Sequence, residues 1–161
     1  MKFSPSLMCM DFLEIREQME AMNSRMDLYH VDIMDGHYCK NITLSPDLVK
    51  TFHKVASIPM DCHLMTTNPG DWVELLAEAG ASYISPHAET INSDAFRILN
   101  LIEQCGCKKG IVLNPATPLS YAEAYLNRID ILTLMTVDVG FAGQPFIEEV
   151  LDKIALAKKW R

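Results

Sequence analysis

The stretch Leu28-Tyr29-His30-Val31-Asp32-Ile33-Met34-Asp35-Gly36-His37 joins a short apolar run to a cluster of polar residues. Side chains alternate between the two faces of a strand, so His30 and Asp32 share one face and Val31 and Ile33 share the other. A short apolar run that ends in acidic residues, glycine and histidine is typical of a buried strand whose carboxyl end carries a functional site.

The rest of the chain repeats this unit. Short apolar runs that predict strands alternate with amphipathic stretches that predict helices, and no Pro-, Gly- or Ser-rich linker divides the series. The predicted strands are residues 3–8, 28–33, 59–65, 82–85, 110–113 and 131–137, and the predicted helices are residues 12–22, 46–55, 72–79, 95–102, 119–126 and 145–160. Alternation of this kind predicts an α/β domain with a parallel sheet buried on both faces.

About six such units fit either an open doubly wound sheet or most of a (β/α)8 TIM barrel, which usually needs about 250 residues. The chain has 161 residues and stops at Lys158-Lys159-Trp160-Arg161, within a helical pattern that has no Gly, Asn or Pro to end it. We therefore expect a single domain over residues 1–161, truncated at its C-terminal side.

The composition argues against several classes of function. Lys and Arg total 14 against 21 Asp and Glu, a formal charge of −7 with no basic run, so we expect no nucleic-acid partner. No apolar stretch reaches the roughly 20 residues of a membrane helix, and the N-terminus lacks the layout of a signal peptide. We therefore expect a cytoplasmic protein without a membrane partner, in which the five scattered cysteines are reduced thiols.

Two histidines and an aspartate are candidate metal ligands. In a barrel the face of His30 and Asp32 points inward, and the next predicted strand could bring His63 alongside them. Two imidazoles and a carboxylate suit a borderline divalent ion such as Zn, Mn, Fe or Co. The alternative is three separate polar side chains at strand ends, each satisfied by its own partner.

Other residues at strand ends have two interpretations each. Met34, Met65 and Met135 are either core residues or an apolar cover that keeps water from a reaction centre. Gly140 and Gly143 lie in a loop before the last predicted helix, which is either an ordinary turn or a phosphate site.

Six sequence blocks, in order along the whole chain, resemble the ribulose-phosphate 3-epimerase family. They are Ser4-Pro5-Ser6-Leu7, residues 30–37, Asn41-Ile42-Thr43, Asp61-Cys62-His63-Leu64-Met65, residues 113–118 and residues 135–146. Within the family, residues 6–11, 44–46 and 141–146 are most similar to the members that act on D-allulose 6-phosphate.

The resemblance implies a (β/α)8 barrel that binds one divalent ion (Zn, Mn, Co, Fe or Mg) and reversibly inverts C3 of a ketose phosphate. The implied substrate is D-allulose 6-phosphate, converted to D-fructose 6-phosphate, or alternatively D-ribulose 5-phosphate. His30, Asp32 and His63 match metal ligands, and Asp32 also matches one of two acid/base carboxylates. The matching substrate contacts are Ser6, Met34, His63, Met65, Met135, Gly140, Phe141, Ala142 and Gly143. Barrels of this kind usually associate, so we expect a homo-oligomer.

The chain departs from the family pattern at Cys39-Lys40, where Val-Pro is usual, and at Val139, where Pro is common. The first departure lies in the loop expected to close over the substrate, so substrate preference could shift there. The family's second catalytic aspartate, also its fourth metal ligand, belongs to a later strand, as does its last phosphate-binding loop. We expect both to lie beyond residue 161.

The implied reaction needs two acids. Removal of the C3 proton beside the C2 carbonyl leaves an enediolate, and inversion requires reprotonation from the opposite face. With Asp32 alone the same face would be reprotonated and the sugar would return unchanged. Two alternatives stay open: a phosphosugar aldolase or decarboxylase, which would need a strand-end lysine, and an inert metal- or phosphate-binding protein or fragment.

Overall fold

Five parallel strands form one sheet in chain order in the computed structural model, which describes residues 1–160. The strands are β1 (Tyr29–Met34), β2 (Met60–Met65), β3 (Tyr83–Pro86), β4 (Lys108–Leu113) and β5 (Ile131–Leu134). The helices are α1 (Ile15–Met22), α2 (Pro46–His53), α3 (Gly70–Ala79), α4 (Ala88–Ile91), α5 (Ala95–Gln104), α6 (Ser120–Glu123) and α7 (Val150–Ala157). Successive strands that are neighbours without reversal of order are typical of a (β/α)8 barrel, whereas a doubly wound sheet reverses its order at a switch point.

The first predicted strand, residues 3–8, is wrong in extent. Only Ser6 pairs with β1, through an isolated parallel bridge to His30, and Leu7–Cys9 forms a 3-10 turn. The carbonyl of Pro5 accepts a hydrogen bond from the His30 N–H at 2.9 Å. Since proline has no N–H to donate, it can supply only half of the usual ladder bonds. The segment still lies beside β1 and places Ser6 next to His30, from where its side chain reaches Asp32.

Several predicted helix boundaries are also wrong. Helix α1 begins at Ile15 instead of residue 12, because the Asp11 carboxylate accepts the Leu13 N–H at 2.9 Å and forms a local turn. Helix α7 begins at Val150 instead of residue 145, because the Ile147 N–H is bonded to the Thr136 carbonyl at 2.9 Å.

The predicted helix over residues 119–126 reduces to the single turn α6 and a following 3-10 turn, Leu126–Arg128. A second 3-10 turn, Lys158–Trp160, follows α7, and Arg161 lies outside the described residues. The short helix α4 between β3 and α5 was absent from the sequence prediction.

Alternation along the strands separates the apolar core from the site. Tyr29, Val31 and Ile33 are fully buried in the main apolar cluster between the sheet and the helices. His30 and Asp32 lie on the other face, as predicted, and the register places Asp32 directly opposite His63 on β2. Parallel pairing at this register brings the polar side chains of two strands to one height.

All five cysteines are free thiols, as the sequence predicts. Within residues 1–160 we find no helix that combines the length and the apolar character needed to cross a membrane.

Candidate metal centre and active site

Three side chains from β1 and β2 converge at the polar face of the sheet. His30 Nε2 lies 3.2 Å from His63 Nδ1, and each of these nitrogens lies 3.5 Å from Asp32 Oδ1. His63 and Asp32 are buried, whereas the side chain of His30 is 20% exposed toward the cavity described below.

These three atoms are a suitable donor set for a divalent metal ion. One nitrogen from each imidazole and one carboxylate oxygen all lie within 4.8 Å of one another. An ion between them would have three protein ligands, as in catalytic metal sites that leave room for substrate oxygens. The residues predicted from the sequence therefore meet as a metal site requires.

His30, Asp32 and His63 shift the pKa values of one another. Burial lowers the pKa of His30, but hydrogen bonds to Asp32 and Asp61 outweigh it and raise the pKa to about 10. Burial alone would raise the pKa of Asp32, but the two histidines outweigh it and hold the pKa well below its usual range. Burial lowers the pKa of His63 to about 4, so its imidazole is neutral at pH 7. His63 and Asp32 thus have the protonation states that bind metal, whereas the protonated His30 must release a proton when an ion binds.

Two hydroxyl groups orient Asp32. Ser6 Oγ donates a hydrogen bond to Asp32 Oδ2 at 2.5 Å, and Thr43 Oγ1 donates to the Asp32 main-chain carbonyl at 2.5 Å. With Oδ2 bonded to Ser6, Oδ1 faces the two histidines. The bridge that brings Ser6 to β1 therefore also sets the direction of this carboxylate.

A cavity of about 170 Å³ opens beside the three polar residues. Its wall contains nine of the site residues predicted from the sequence: Ser6, His30, Asp32, Met34, Met65, Met135, Gly140, Phe141 and Ala142. Four further wall residues were not predicted: Met8, Cys9, Val137 and Asp138. His63 is buried behind this wall, and Gly143 lies in the same loop as Gly140 but does not line the cavity. A larger cleft of about 680 Å³, between residues 92–97 and 120–125, contains none of these side chains.

Cys39 and Val139, one residue from each departure from the family pattern, lie in one small apolar cluster. Cys39 is buried against Met34 and Met65, and Val139 packs against the same group. A Cβ at Gly140 would lie 3.1 Å from the Cys39 Cβ, and the loop is joined to Asn41, whose amide donates to the Gly140 carbonyl at 2.8 Å. The unusual residues therefore meet where two loops close one side of the cavity.

Both candidate metal-binding histidines have a second partner behind them. His30 Nδ1 lies 3.4 Å from Asp61 Oδ2, and Ser85 Oγ donates to Asp61 Oδ1 at 2.5 Å. His63 Nε2 lies 2.8 Å from His87 Nε2, and His87 Nδ1 lies 3.4 Å from Glu89 Oε2.

Asp61, His87 and Glu89 were not among the site residues predicted from the sequence. Period two along β2 places Asp61 on the face of His63, a signal that could have identified it. His87 and Glu89 directly follow β3, where a strand-end position was the only available signal.

Comparisons with known proteins identify relatives of this chain. The sequence matches the Ribulose-phosphate 3 epimerase family over residues 2–161. The ribulose-phosphate 3-epimerase 2 of Cupriavidus necator is 40% identical over 158 residues, which cover 98% of this chain and 65% of that protein. The ribulose-phosphate 3-epimerase of Aquifex aeolicus is 40% identical over 159 residues, covering 98% and 71%. The chain thus spans about two thirds of the length of the curated relatives that it matches.

Among solved structures, a mutant tryptophan synthase alpha-subunit from Pyrococcus furiosus superimposes with a TM-score of 0.68 at 16% identity. The match covers 98% of this chain and 73% of that one. At this identity the likeness concerns the fold alone.

Proposed function

Because the chain belongs to the ribulose-phosphate 3-epimerase family, we propose that it carries the metal-binding half of a C3 epimerase for ketose phosphates. The observation that carries this proposal is the convergence of His30, Asp32 and His63 beside a cavity at the carboxyl ends of β1 and β2. A divalent ion held there would act as a Lewis acid toward the C2 and C3 oxygens of the substrate.

Asp32 is proposed to exchange the proton at C3. Its carboxylate is ionised, borders the cavity and is oriented by Ser6, so it can accept a proton from one face of a bound sugar. Met34, Met65 and Met135 line the same cavity and would exclude water from the carbanionic centre. Inversion further requires an acid on the opposite face.

Two substrates are candidates. The curated relatives named above are ribulose-phosphate 3-epimerases, which favours D-ribulose 5-phosphate. The segments 6–11, 44–46 and 141–146 favour D-allulose 6-phosphate, and two of the three contribute residues to the cavity wall. The loop from Gly140 to Gly143 is proposed to lie near the phosphate.

Proton NMR in D2O tests the reaction. The 161-residue chain is mixed with Mn²⁺ or Zn²⁺ and with each sugar phosphate in turn, and the C3 proton is followed. Formation of the epimer with deuterium at C3 would establish the epimerase and identify the better substrate. Loss of the C3 proton without inversion would leave Asp32 as the working base and the second acid outside this chain. No exchange with either sugar would overturn the proposal and favour an inert metal- or phosphate-binding protein.

Two substitutions separate the roles of the residues. Asp32→Asn should abolish exchange at C3, and His63→Ala should lose both exchange and bound metal, measured by atomic absorption after gel filtration. Asp47→Asn is the control, because Asp47 is exposed on the first turn of α2 and is expected to change neither. Full exchange in Asp32→Asn would contradict the assigned role of this carboxylate.

The homo-oligomer expected from the sequence stays a prediction, which analytical ultracentrifugation would test.

A further inference from the structure

We propose that His87 and Glu89 are positioning residues that hold the ring proton of His63 on Nε2 and thereby leave His63 Nδ1 free to bind the metal. This inference rests on the metal site of the proposed function. It concerns two residues that do not themselves lie among the three candidate ligands.

The two ring nitrogens of His63 face different surroundings. Nδ1 faces His30 Nε2 at 3.2 Å and Asp32 Oδ1 at 3.5 Å, which is the metal-binding side. Among residues 1–160, the ring of His87 is the hydrogen-bonding neighbour of Nε2, with the two Nε2 atoms 2.8 Å apart. The rings are nearly parallel, at 27° and 4.9 Å between centroids. His63 is 1% exposed and His87 is 0% exposed, so water cannot easily replace either partner.

The positions of the protons on His63 and His87 depend on each other. A nitrogen that binds a metal offers its lone pair, so a neutral His63 that binds through Nδ1 must carry its proton on Nε2. The Nε2–H group then donates to His87 Nε2, which must accept. A neutral His87 that accepts at Nε2 carries its own proton on Nδ1, and that proton points toward Glu89.

Glu89 is the last group in this row of hydrogen-bonding side chains, and its carboxylate is an acceptor. Its Oε2 lies 3.4 Å from His87 Nδ1, and neither atom has a hydrogen-bond partner elsewhere in residues 1–160. A small rotation of either side chain would close this contact into a hydrogen bond. An ionised carboxylate can only accept, and hydrogen bonds outweigh the effect of burial and lower the pKa of Glu89 to about 2. The carboxylate therefore selects the tautomer of His87 and, through it, that of His63.

The other carboxylate oxygen is fixed by two donors. Oε1 accepts the main-chain N–H of Asn114 at 3.0 Å and the hydroxyl of Thr117. Lys153 on α7 holds this loop by donating to the carbonyls of Asn114, Pro115 and Thr117 at 2.7, 2.8 and 3.1 Å. Glu89 therefore has one oxygen committed to the loop and one directed at His87.

This geometry makes Glu89→Gln an informative variant. The Asn114 N–H needs an acceptor, so the amide oxygen of the new side chain should take the Oε1 position and its NH2 group should face His87 Nδ1. A donor at that point would favour a proton on His87 Nε2, which would then donate to His63 Nε2. The His63 proton would move to Nδ1, the nitrogen that the metal needs.

The test measures metal binding and tautomers instead of turnover. Co²⁺ is titrated into the 161-residue chain and followed by its visible absorption, and ¹⁵N NMR of the metal-free chain at pH 7.5 identifies which nitrogen of His63 carries the proton. Glu89→Gln should weaken Co²⁺ binding by about 10- to 100-fold, the range for groups that orient a metal ligand, and should shift the proton toward Nδ1.

Three further variants distinguish a positioning role from a purely structural effect. His87→Gln places an amide oxygen near the former Nε2 position and should retain more Co²⁺ affinity than His87→Leu, which has no acceptor. Tyr125→Phe is the matched control, because Tyr125 is 3% exposed and its buried hydroxyl has no hydrogen-bond partner within the described chain. The Tm of each variant is measured in the absence of metal, and Co²⁺ affinities are compared between variants whose Tm is the same.

The outcomes separate this inference from the proposed function. If the unmodified chain does not bind Co²⁺, the metal site itself is wrong and the inference falls with it. If the unmodified chain binds Co²⁺ but Glu89→Gln binds within twofold of it and keeps the same His63 tautomer, the metal site stands and the role of His87 and Glu89 is refuted.

Discussion

Replacing Gly110 by alanine should destabilise the fold, because it would disturb the side chains that lie behind the candidate metal site. Gly110 lies on β4 beside Ser85 of β3, and an added Cβ would lie 1.8 Å from Ser85 Oγ, 2.7 Å from Ser85 Cβ and 3.2 Å from Ser85 Cα. No rotation of Ser85 removes all three contacts. The hydroxyl would leave Asp61 Oδ1, which it now reaches at 2.5 Å, and Asp61 would lose a partner while only 3% exposed.

The magnitude follows from two effects. Loss of a hydrogen bond to a buried charged group costs about 1.5–3 kcal/mol, and overpacking of a well-packed core costs about 1–3 kcal/mol. Gly110→Ala should therefore lower the free energy of unfolding by about 2.5–6 kcal/mol, measured by urea denaturation followed by circular dichroism. Gly70→Ala is the control, because its Cβ would meet only the flexible end of Ile98, at 3.0 Å.

A double-mutant cycle tests the stated cause. Ser85→Gly removes the two shortest contacts. The loss in the free energy of unfolding in the double variant Gly110→Ala/Ser85→Gly should therefore be smaller, by about 1–3 kcal/mol, than the sum of the losses in the two single variants. A loss below about 0.5 kcal/mol in Gly110→Ala, or strict additivity in the cycle, would refute this reasoning.

Three other changes test separate contacts. Partial burial alone would raise the pKa of Asp35, but N–H groups of residues 67, 38 and 37 outweigh it and lower the pKa to about 2. Its contribution to stability is thus complete above its ordinary pKa of 3.8 and disappears as pH falls toward 2, and Asp35→Asn should flatten this part of the curve of urea midpoint against pH. Lys153→Met should remove three bonds to carbonyls of residues 114–117 and speed amide hydrogen exchange in that loop, and unchanged exchange would contradict the role of Lys153. Tyr29→Phe should cost about 1–2 kcal/mol in thermal unfolding, because the buried hydroxyl donates to the Met19 carbonyl at 2.7 Å; an unchanged Tm would argue that this bond contributes nothing.

Local sequence signals were sufficient where a strand is buried on both faces. The apolar run at residues 28–33 predicted β1, and its period of two correctly separated His30 and Asp32 from Val31 and Ile33. Ser45 before Pro46 predicted the start of α2, and its side chain does accept the Leu48 N–H.

Local signals were insufficient where long-range hydrogen bonds set the ends of elements. Residues 145–149 have a helical pattern, yet the bond from Ile147 to Thr136 holds them against the end of β5. The segment before Leu7 has the composition of a strand, but Pro5 limits its pairing to one bridge.

The sequence by itself determined the alternation of helices with strands β1 to β5 and the face on which His30 and Asp32 lie, because both follow from local periodicity. The tertiary structure alone decided that the second nitrogen of His63 meets His87 and that Glu89 is held between this histidine and the loop at Asn114. Those contacts depend on the register between neighbouring strands and on the path of a loop. Contacts between residues far apart in the chain produce no periodic pattern in the sequence, so local periodicity cannot predict them.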